Sequence, residues 1–522
     1  MEMWNSETVT LARDASTLTI GRVITNQATI RPDSIAVAHP GGTLSFRELD
    51  EASSRLANSL VSAGVAPGER IAVLSENTVE LCVLLYAAAK AGAIVAVVNW
   101  RLRPDEIAYC IDLIEAKIVC YSDDRAEQLA AAAKLLKSQP KTTRLGSLAE
   151  TWRGDSMLSE SANQPSSGPD IKVDSESVLI ILYTSGTTGL PKAVAISHRA
   201  LIARAGVMAA ELRLCGDDAF IGWAPMFHQV STDYLFVTHL YGGKFIVLPG
   251  FDPDAIVDWL HRERIGWLVL MPGVIDPIIN RLERESKRVV GVRAVGAMAD
   301  LVPPDQLRRL TELLDAPYFN SFGCTETGAI PSAGALLEMG VAPQTFAKEQ
   351  SAFCDVFLET AEGTCAPVGT VGELALRGPT MFSGYWNDDA ATKAAFRGGW
   401  FRTGDLFKRT DTGLLDFVAR SKYMIKSGGE NIYPAEIERV LMQHPSIIEV
   451  VVVRRPDRKW GEVPVAVVAM SEAAVPVSDI ESFCVERLAN YKRPKEIQVR
   501  ALEEFPRSVT GKVLREVLEL EV

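Results

Sequence analysis

The chain has 522 residues, 47% of them hydrophobic and 23% charged, which is length for about three domains and for a deep core that needs no disulfide or metal staple. Against 66 acidic residues stand 54 Lys and Arg, a net charge of −12 that excludes a generic nucleic-acid binder, whose affinity for phosphate backbones needs a basic surface. The eight cysteines contain no CxxC spacing, which excludes a zinc knuckle or redox dithiol.

Met1 to Ala15 carries three acids and one Arg and lacks the basic and apolar regions of a signal peptide, so a cytoplasmic setting is expected. Ser45 and Glu48 form an S-x-x-E capping box, and Phe46, Leu49, Ala52, Leu56 and Leu60 follow at helical spacing until Gly64. Leu81 to Val98 is the longest apolar stretch. Lys90 and Gly92 interrupt it, so it predicts a buried helix running into a strand, with no integral membrane association. Glu160 to Asp170 is a polar, solvated connector. A helix from Pro253 to Arg264 precedes the apolar run Trp267–Met271, and another from Pro304 to Leu314 precedes Pro317–Asn320. Short Val/Ile runs alternating with amphipathic helices imply parallel sheets covered on both faces. From about Lys422 the texture changes to a compact tail of roughly 100 residues, the size of a small domain. The tail predicts helices at Pro434–Gln443 and Asp479–Ala489, strands at Ile447–Val453 and Pro464–Met470, and a terminal strand and helix.

The chemistry concentrates in Ile180 to His198, which reads IILYTSGTTGLPKAVAISH. Thr184, Ser185, Thr187 and Thr188 surround Gly186 and Gly189 between two β-like runs, with Lys192 at the exit. Glycines let backbone N–H groups approach phosphate oxygens, hydroxyls add donors, and the lysine adds charge. The Walker A spacing is absent, and a strand rather than a helix is expected to follow.

At this run the sequence resembles the adenylate-forming (AMP-binding) superfamily of acyl-CoA synthetases, amino-acid adenylation domains and firefly-type luciferases. Further motifs follow in the family's order: Asn320 to Glu326 (NSFGCTE), Gly372 to Gly378 with Gly384-Tyr-Trp386, Trp400 to Asp405, Arg420 to Glu438, and Pro506 to Lys512. The resemblance implies an α/β fold: a large N-terminal domain of packed α/β sheets with a β-barrel-like subdomain (residues 1–420), plus a small mobile α+β C-terminal domain (residues 421–522). It implies an acid–CoA ligase using ATP, Mg²⁺ and CoA on a small-molecule carboxylic acid, with a homodimer as the oligomeric state the family suggests.

By the same resemblance, Thr184 to Gly189 and Lys192 cradle the ATP phosphates, and Glu326 holds Mg²⁺, a hard cation that favours oxygen ligands. Gly296, Ala297, Asn320, Ser321 and Phe322 border the adenine, with Thr325 beside them. Asp405 accepts from the ribose hydroxyls and Arg420 reaches the ribose or phosphates. Lys512 is the catalytic lysine, offsetting the repulsion between a carboxylate and the α-phosphate. Lys422 is the pivot of the tail, and Ser427, Gly428 and Gly429 shape a channel for the pantetheine arm. Phe227, His228, Val230 and Met298 line the acid pocket, although core packing explains the apolar ones equally well. Where this chain has His228, amino-acid adenylation domains carry an Asp for the substrate amine, so the residue counts against an amino-acid substrate.

The other readings are an adenylating enzyme that loads a carrier-protein thiol, a luciferase-like oxygenase, and an inactive binding protein. Ser427 to Asn431 looks more like the CoA-using branch. Departures from the family pattern are Ala193, Ala419, Cys324 and Tyr423; the last leaves the hydrogen bonding of the hinge open.

Overall fold

In a computed structural model, which describes residues 15–146, 156–185, 190–271, 273–284, 287–427, 430–471, 475–507 and 513–522, the capping box at Ser45 forms as the spacing predicts. Ser45 Oγ accepts from the Glu48 amide at 3.2 Å and Glu48 Oε2 accepts from the Ser45 amide at 2.7 Å. The helix Phe46–Ser62 buries Phe46, Leu49, Leu56 and Leu60, and stops where Gly64 turns to φ 82°. The long apolar stretch is a core helix, Val79–Ala91, buried nearly all round. Thr78 caps its start and the left-handed Gly92 its end. It leads into the strand Ile94–Val97, deep in a seven-stranded sheet.

That sheet runs Gly384–Tyr385, Pro191–Ser197, Val178–Ser185, Ile94–Val97, Arg70–Leu74, Ile118–Tyr121, Lys141–Arg144. The last five are mutually parallel; the first two join antiparallel. An eight-stranded sheet carries Tyr318–Phe319, Val292–Val295, Ile265–Leu268, Ala219–Gly222, Lys244–Val247 and Ile35–His39 in parallel order, with one short antiparallel strand at each edge. One apolar cluster joins the two sheets: Val73, Val95 and Leu182 of the first share it with Phe220, Phe245 and Trp267 of the second, through Leu84, Tyr86, Leu201 and Phe236 of the helices between them. Full burial of each large side chain contributes about 1.5–3 kcal/mol, so this shared interior makes the two sheets one body. A third, antiparallel sheet of five strands spans Asp355 to Arg420, in the part of the larger domain beyond the two parallel sheets.

The smaller C-terminal domain has its own five-stranded sheet: Ile425–Ser427, Glu430–Ile432, Gly461–Met470, Ile447–Asp457 and Glu496–Val499. Helices Pro434–Leu441 and Val477–Arg487 pack on one face, and Phe505 with the helix Arg515–Glu521 on the other. It meets the larger domain where Arg439 donates to the Phe417 carbonyl at 3.1 Å, with its guanidinium 3.9 Å from Asp416. The polar connector Glu160–Asp170 is largely exposed, as expected, although Ser161 is buried, and it is also strapped down: Asn58 donates to the carbonyls of Pro165 and Ser167, and Arg55 to that of Gln164.

Two histidines of this interior, His198 and His239, are fully buried, and burial pushes both imidazoles down to about 4. Between pH 6.5 and 4 the unfolded chain therefore binds protons at these sites that the folded chain does not, and stability falls as the solution is acidified through that window. The unfolding free energy is expected to drop by on the order of 1.4 kcal/mol per pH unit for each histidine, read by urea denaturation at pH 7, 6 and 5. A His239→Gln variant with an unaltered pH slope would contradict this.

Candidate active site

The hydroxyl-rich run forms an antiparallel hairpin. Val178–Ser185 pairs with Pro191–Ser197, and Thr184 stands opposite Lys192. A strand follows the turn, as expected, so this is not a strand–loop–helix P-loop. Gly186, Thr187, Thr188 and Gly189 lie outside the described residues, and of Ser185 only the backbone is described.

Lys192 lies 4.8 Å from the centre of the Tyr385 ring, and the Tyr385 hydroxyl donates to Glu326 Oε1 at 2.9 Å. Two motifs nearly sixty residues apart in sequence thus meet the hairpin at one place. The main chain holds them there. Phe382 N–H donates to the Glu326 carbonyl at 2.8 Å, and Thr380 Oγ1 to the Thr327 carbonyl at 2.8 Å. Arg204, on the helix His198–Glu211, donates to the carbonyls of both Thr325 (2.9 Å) and Thr380 (3.0 Å). Its guanidinium is paired with Asp233 at 3.0 Å on the helix Gln229–Leu240, and the side chains are only 2% and 5% exposed. Burial foremost, with the Glu326 carboxylate next, pushes the Tyr385 phenol well above its ordinary range, so it stays a neutral donor.

The thiol of Cys324, two residues before Glu326, is raised by burial first and then by Glu326 and Asp405. Asp405 is 2% exposed and its carboxylate takes Arg420 Nε at 2.8 Å, the two residues facing each other across paired strands. Burial works against the Arg420 charge, but Asp405 outweighs it and holds the guanidinium above its usual value. Phe322 packs edge-on against Phe407 at 4.8 Å and near Phe417 at 6.0 Å, so the rings support it.

Gly296 adopts φ 82°, and a Cβ there would meet the Tyr318 ring at 2.0 Å. Tyr318 in turn donates to the Ala297 carbonyl at 2.8 Å and accepts from its amide at 3.2 Å. Only glycine fits this close approach. Met298 follows in the left-handed region at φ 52°, with its side chain exposed. The Asn320 side chain is turned inward: its Oδ1 accepts from the buried Lys348 ammonium at 2.8 Å, and its amide donates to the Phe346 carbonyl. Lys348 also pairs with Asp300 at 2.7 Å. Ser321 is half-buried.

Asn77 shapes the loop that precedes His228, accepting from the Met226 amide at 2.7 Å and donating to the carbonyls of Gly222 and Ala224. His228 sits at the start of the following helix, its ring 4.8 Å from Phe227, and its buried Nε2 has no hydrogen-bond partner among the described residues. Burial, and then the charge of Arg101, lowers the imidazole to about 4. Val230 is half-buried nearby.

At the segment expected to be the hinge, Tyr423 is hydrogen-bonded. Tyr423 OH and Lys422 Nζ both donate to Glu516 Oε1, at 2.6 and 2.7 Å. These bonds overcome burial and hold the Glu516 carboxyl down at about 2. Ser427 is buried beside Gly461 of the C-terminal sheet, whereas Gly428, Gly429 and Lys512 lie outside the described residues. Sequence reasoning passed over Arg204, Asp233, Lys348 and Tyr318. A charged residue on the buried face of a helix was the available signal for Arg204. Tyr385 stood inside a quoted motif without a role.

Residues 24–386 match the AMP-binding enzyme family and residues 436–512 the AMP-binding enzyme C-terminal domain. The chain is 34% identical over 508 residues to the indoleacetate–CoA ligase of Aromatoleum aromaticum, covering 94% of this chain and 96% of that one. It is 31% identical to a long-chain-fatty-acid–CoA ligase of Mycobacterium tuberculosis, covering 96% and 97%. The o-succinylbenzoate–CoA synthetase of Bacillus subtilis, solved with its acyl-adenylate intermediate, superimposes with a TM-score of 0.81 at 25% identity over 95% of this chain and 97% of that one. The chain therefore belongs to the AMP-binding enzyme family and is an adenylate-forming acid–CoA ligase, an acyl-CoA synthetase whose substrates are ATP, CoA and a small-molecule carboxylic acid.

Proposed function

We propose that the acid is apolar, of the aryl, alicyclic or medium- to long-chain class, and that it is activated where Lys192, Glu326 and the Asp405–Arg420 pair converge. The observation that carries this reading is the convergence itself: a phosphate-type hairpin and a carboxylate from distant parts of the chain meet at Tyr385, and the buried Asp405, paired with the partly exposed Arg420, acts together with Glu326 on the Cys324 thiol. Phe227 and a neutral His228 suit an uncharged acyl group, since neither offers a counter-charge to a substrate amine.

Among the described residues no group of three or more His, Cys, Asp or Glu side chains could hold a metal by itself. A lone carboxylate suits Mg²⁺, which keeps waters and takes its other oxygens from substrate phosphates. Glu326 is the residue that would hold it, and when bound the ion would neutralise phosphate charge. Thr184 to Gly189 and Lys192 would orient the triphosphate, and Asp405 would accept from the ribose hydroxyls while Arg420 fixes its carboxylate. A carboxylate oxygen of the substrate attacks the α-phosphorus and the bond to the β-phosphate oxygen breaks, releasing pyrophosphate. Lys512 would place its ammonium between the two anions at that moment. The domain beyond Arg420 would then turn about Lys422, bringing Gly428 and Gly429 over the site to admit the pantetheine arm. The CoA thiolate sulfur attacks the acyl carbon and AMP departs with the electron pair of the anhydride bond.

The test is AMP release from ATP, Mg²⁺ and CoA across a panel of aryl, arylalkyl, alicyclic, fatty, dicarboxylic and amino acids. Release is expected with an apolar acid. Turnover confined to amino acids or short dicarboxylates would overturn the substrate class.

A further inference from the structure

We propose that Tyr385 is a positioning residue for adenylation, which orients the Glu326 carboxylate through its hydroxyl and stations the Lys192 ammonium over its ring. The proposal rests on the reading of this place as an ATP·Mg²⁺ site. Its own support is the way the segment Thr380 to Trp386 splices the two motifs together. On one side, the Ser383 and Trp386 amides donate to the carbonyls of Ala195 and Ala193 at 2.8 Å, continuing the sheet onto the strand that bears Lys192. On the other, the Thr380 hydroxyl and the Phe382 amide donate to the carbonyls of Thr327 and Glu326. Tyr385 is the residue of this splice whose side chain reaches both functional groups, at 2.9 Å and 4.8 Å. Its own amide is fixed by Thr392 Oγ1 at 2.9 Å, and its ring packs against Phe382 at 5.0 Å, so the phenol has little freedom to wander.

The physical consequence is specific. The hydroxyl bond to Oε1 sets the carboxylate's rotation, leaving Oε2 as the oxygen to present to a cation. The electron-rich ring face gives Lys192 a resting place without competing for its hydrogen bonds, so the ammonium can turn to a phosphate when one arrives. Glu326 and Lys192 are thus held at a set separation by one side chain rather than by direct pairing, which would consume both charges.

Tyr385→Phe removes the hydroxyl and keeps the ring; Tyr385→Leu removes both. Binding of Mn²⁺ with a non-hydrolysable ATP analogue, followed by the loss of the free-ion electron paramagnetic resonance signal, reads the site without turnover. Tyr385→Phe is expected to weaken Mn²⁺–nucleotide binding about tenfold, the effect of one hydrogen bond to a charged acceptor, with an unchanged melting temperature. It should raise the half-saturating Mg²⁺ concentration in pyrophosphate–ATP exchange by a similar factor while kcat at saturating Mg²⁺ stays within about threefold. Tyr385→Leu should weaken nucleotide binding further. In a Glu326→Gln background the Tyr385→Phe effect should vanish, because the two act through one contact. Wild-type Mn²⁺ affinity in Tyr385→Phe, a lowered melting temperature with unchanged binding, or full persistence of the effect beside Glu326→Gln would each overturn the proposal. Absence of both Mn²⁺–nucleotide binding and acid-dependent exchange in the unaltered protein would instead overturn the site reading on which it rests.

Discussion

Replacing Lys512 by alanine is expected to lower acid-dependent pyrophosphate–ATP exchange by about 10²–10³-fold, the usual loss when one preorganised donor to a developing charge is removed. The physical reason is the encounter of two anions: a carboxylate must approach an α-phosphate that already bears negative charge, and a single ammonium between them relieves the repulsion as the bond forms. Because this help is needed chiefly in the transition state, the KM for ATP should move far less than kcat. Thioester formation from a preformed acyl-adenylate should survive if, as proposed, that step uses another orientation of the C-terminal domain. Exchange at the wild-type rate in Lys512→Ala would remove this lysine from the mechanism.

The second large effect is on stability. Arg204→Ala should destabilise the protein by about 3–5 kcal/mol, because it strands the Asp233 carboxylate in the interior without its counter-ion. Both side chains are almost wholly buried, so solvent does not screen the loss. The substitution also frees the carbonyls of Thr325 and Thr380, and with them the loop that carries Glu326. Replacing both partners by apolar residues of similar volume, Arg204→Met with Asp233→Leu, should restore most of the stability but not the loop's grip. Urea denaturation of the single and double variants, alongside the Mg²⁺ dependence of exchange, separates the two contributions. A loss below about 1 kcal/mol in Arg204→Ala would show that the pair is not what holds these helices together.

These two residues mark what can be read from the chain and what cannot. Lys512 stands in a motif whose residues are contiguous, so a role can be proposed for it from its type and neighbours alone. The capped helices are legible for the same reason: Ser45 and Glu48 are three residues apart, and the bond between them needs no knowledge of the rest of the fold. The Pro304–Leu314 helix matches its predicted bounds because proline at its start and the apolar spacing are local signals. Arg204 and Asp233, by contrast, lie on two helices whose mutual orientation is set by the core, and no local pattern links them. Asn320 belongs to a motif, but its side chain answers to Lys348 in a distant loop, which sequence alone does not bring near. The connector from Glu160 reads as solvated on composition, and it is; its tethers to Asn58 and Arg55 depend on where the Phe46–Ser62 helix happens to lie. Local chemistry is written in order along the chain, whereas partnership across the core is written in the packing.

The grips on either side of Ser421 have a mechanical meaning. Arg420 is clamped to Asp405 in the larger domain, and Lys422 is clamped to Glu516, which belongs to the last helix of the smaller one, while Arg454 adds a hold on the Lys422 carbonyl. Any swivel of the C-terminal lobe that preserves both clamps has to be taken up by the few backbone torsions between them. Such an axle would let the lobe change direction as a unit without sliding, carrying its own counter-charge with it through the arc.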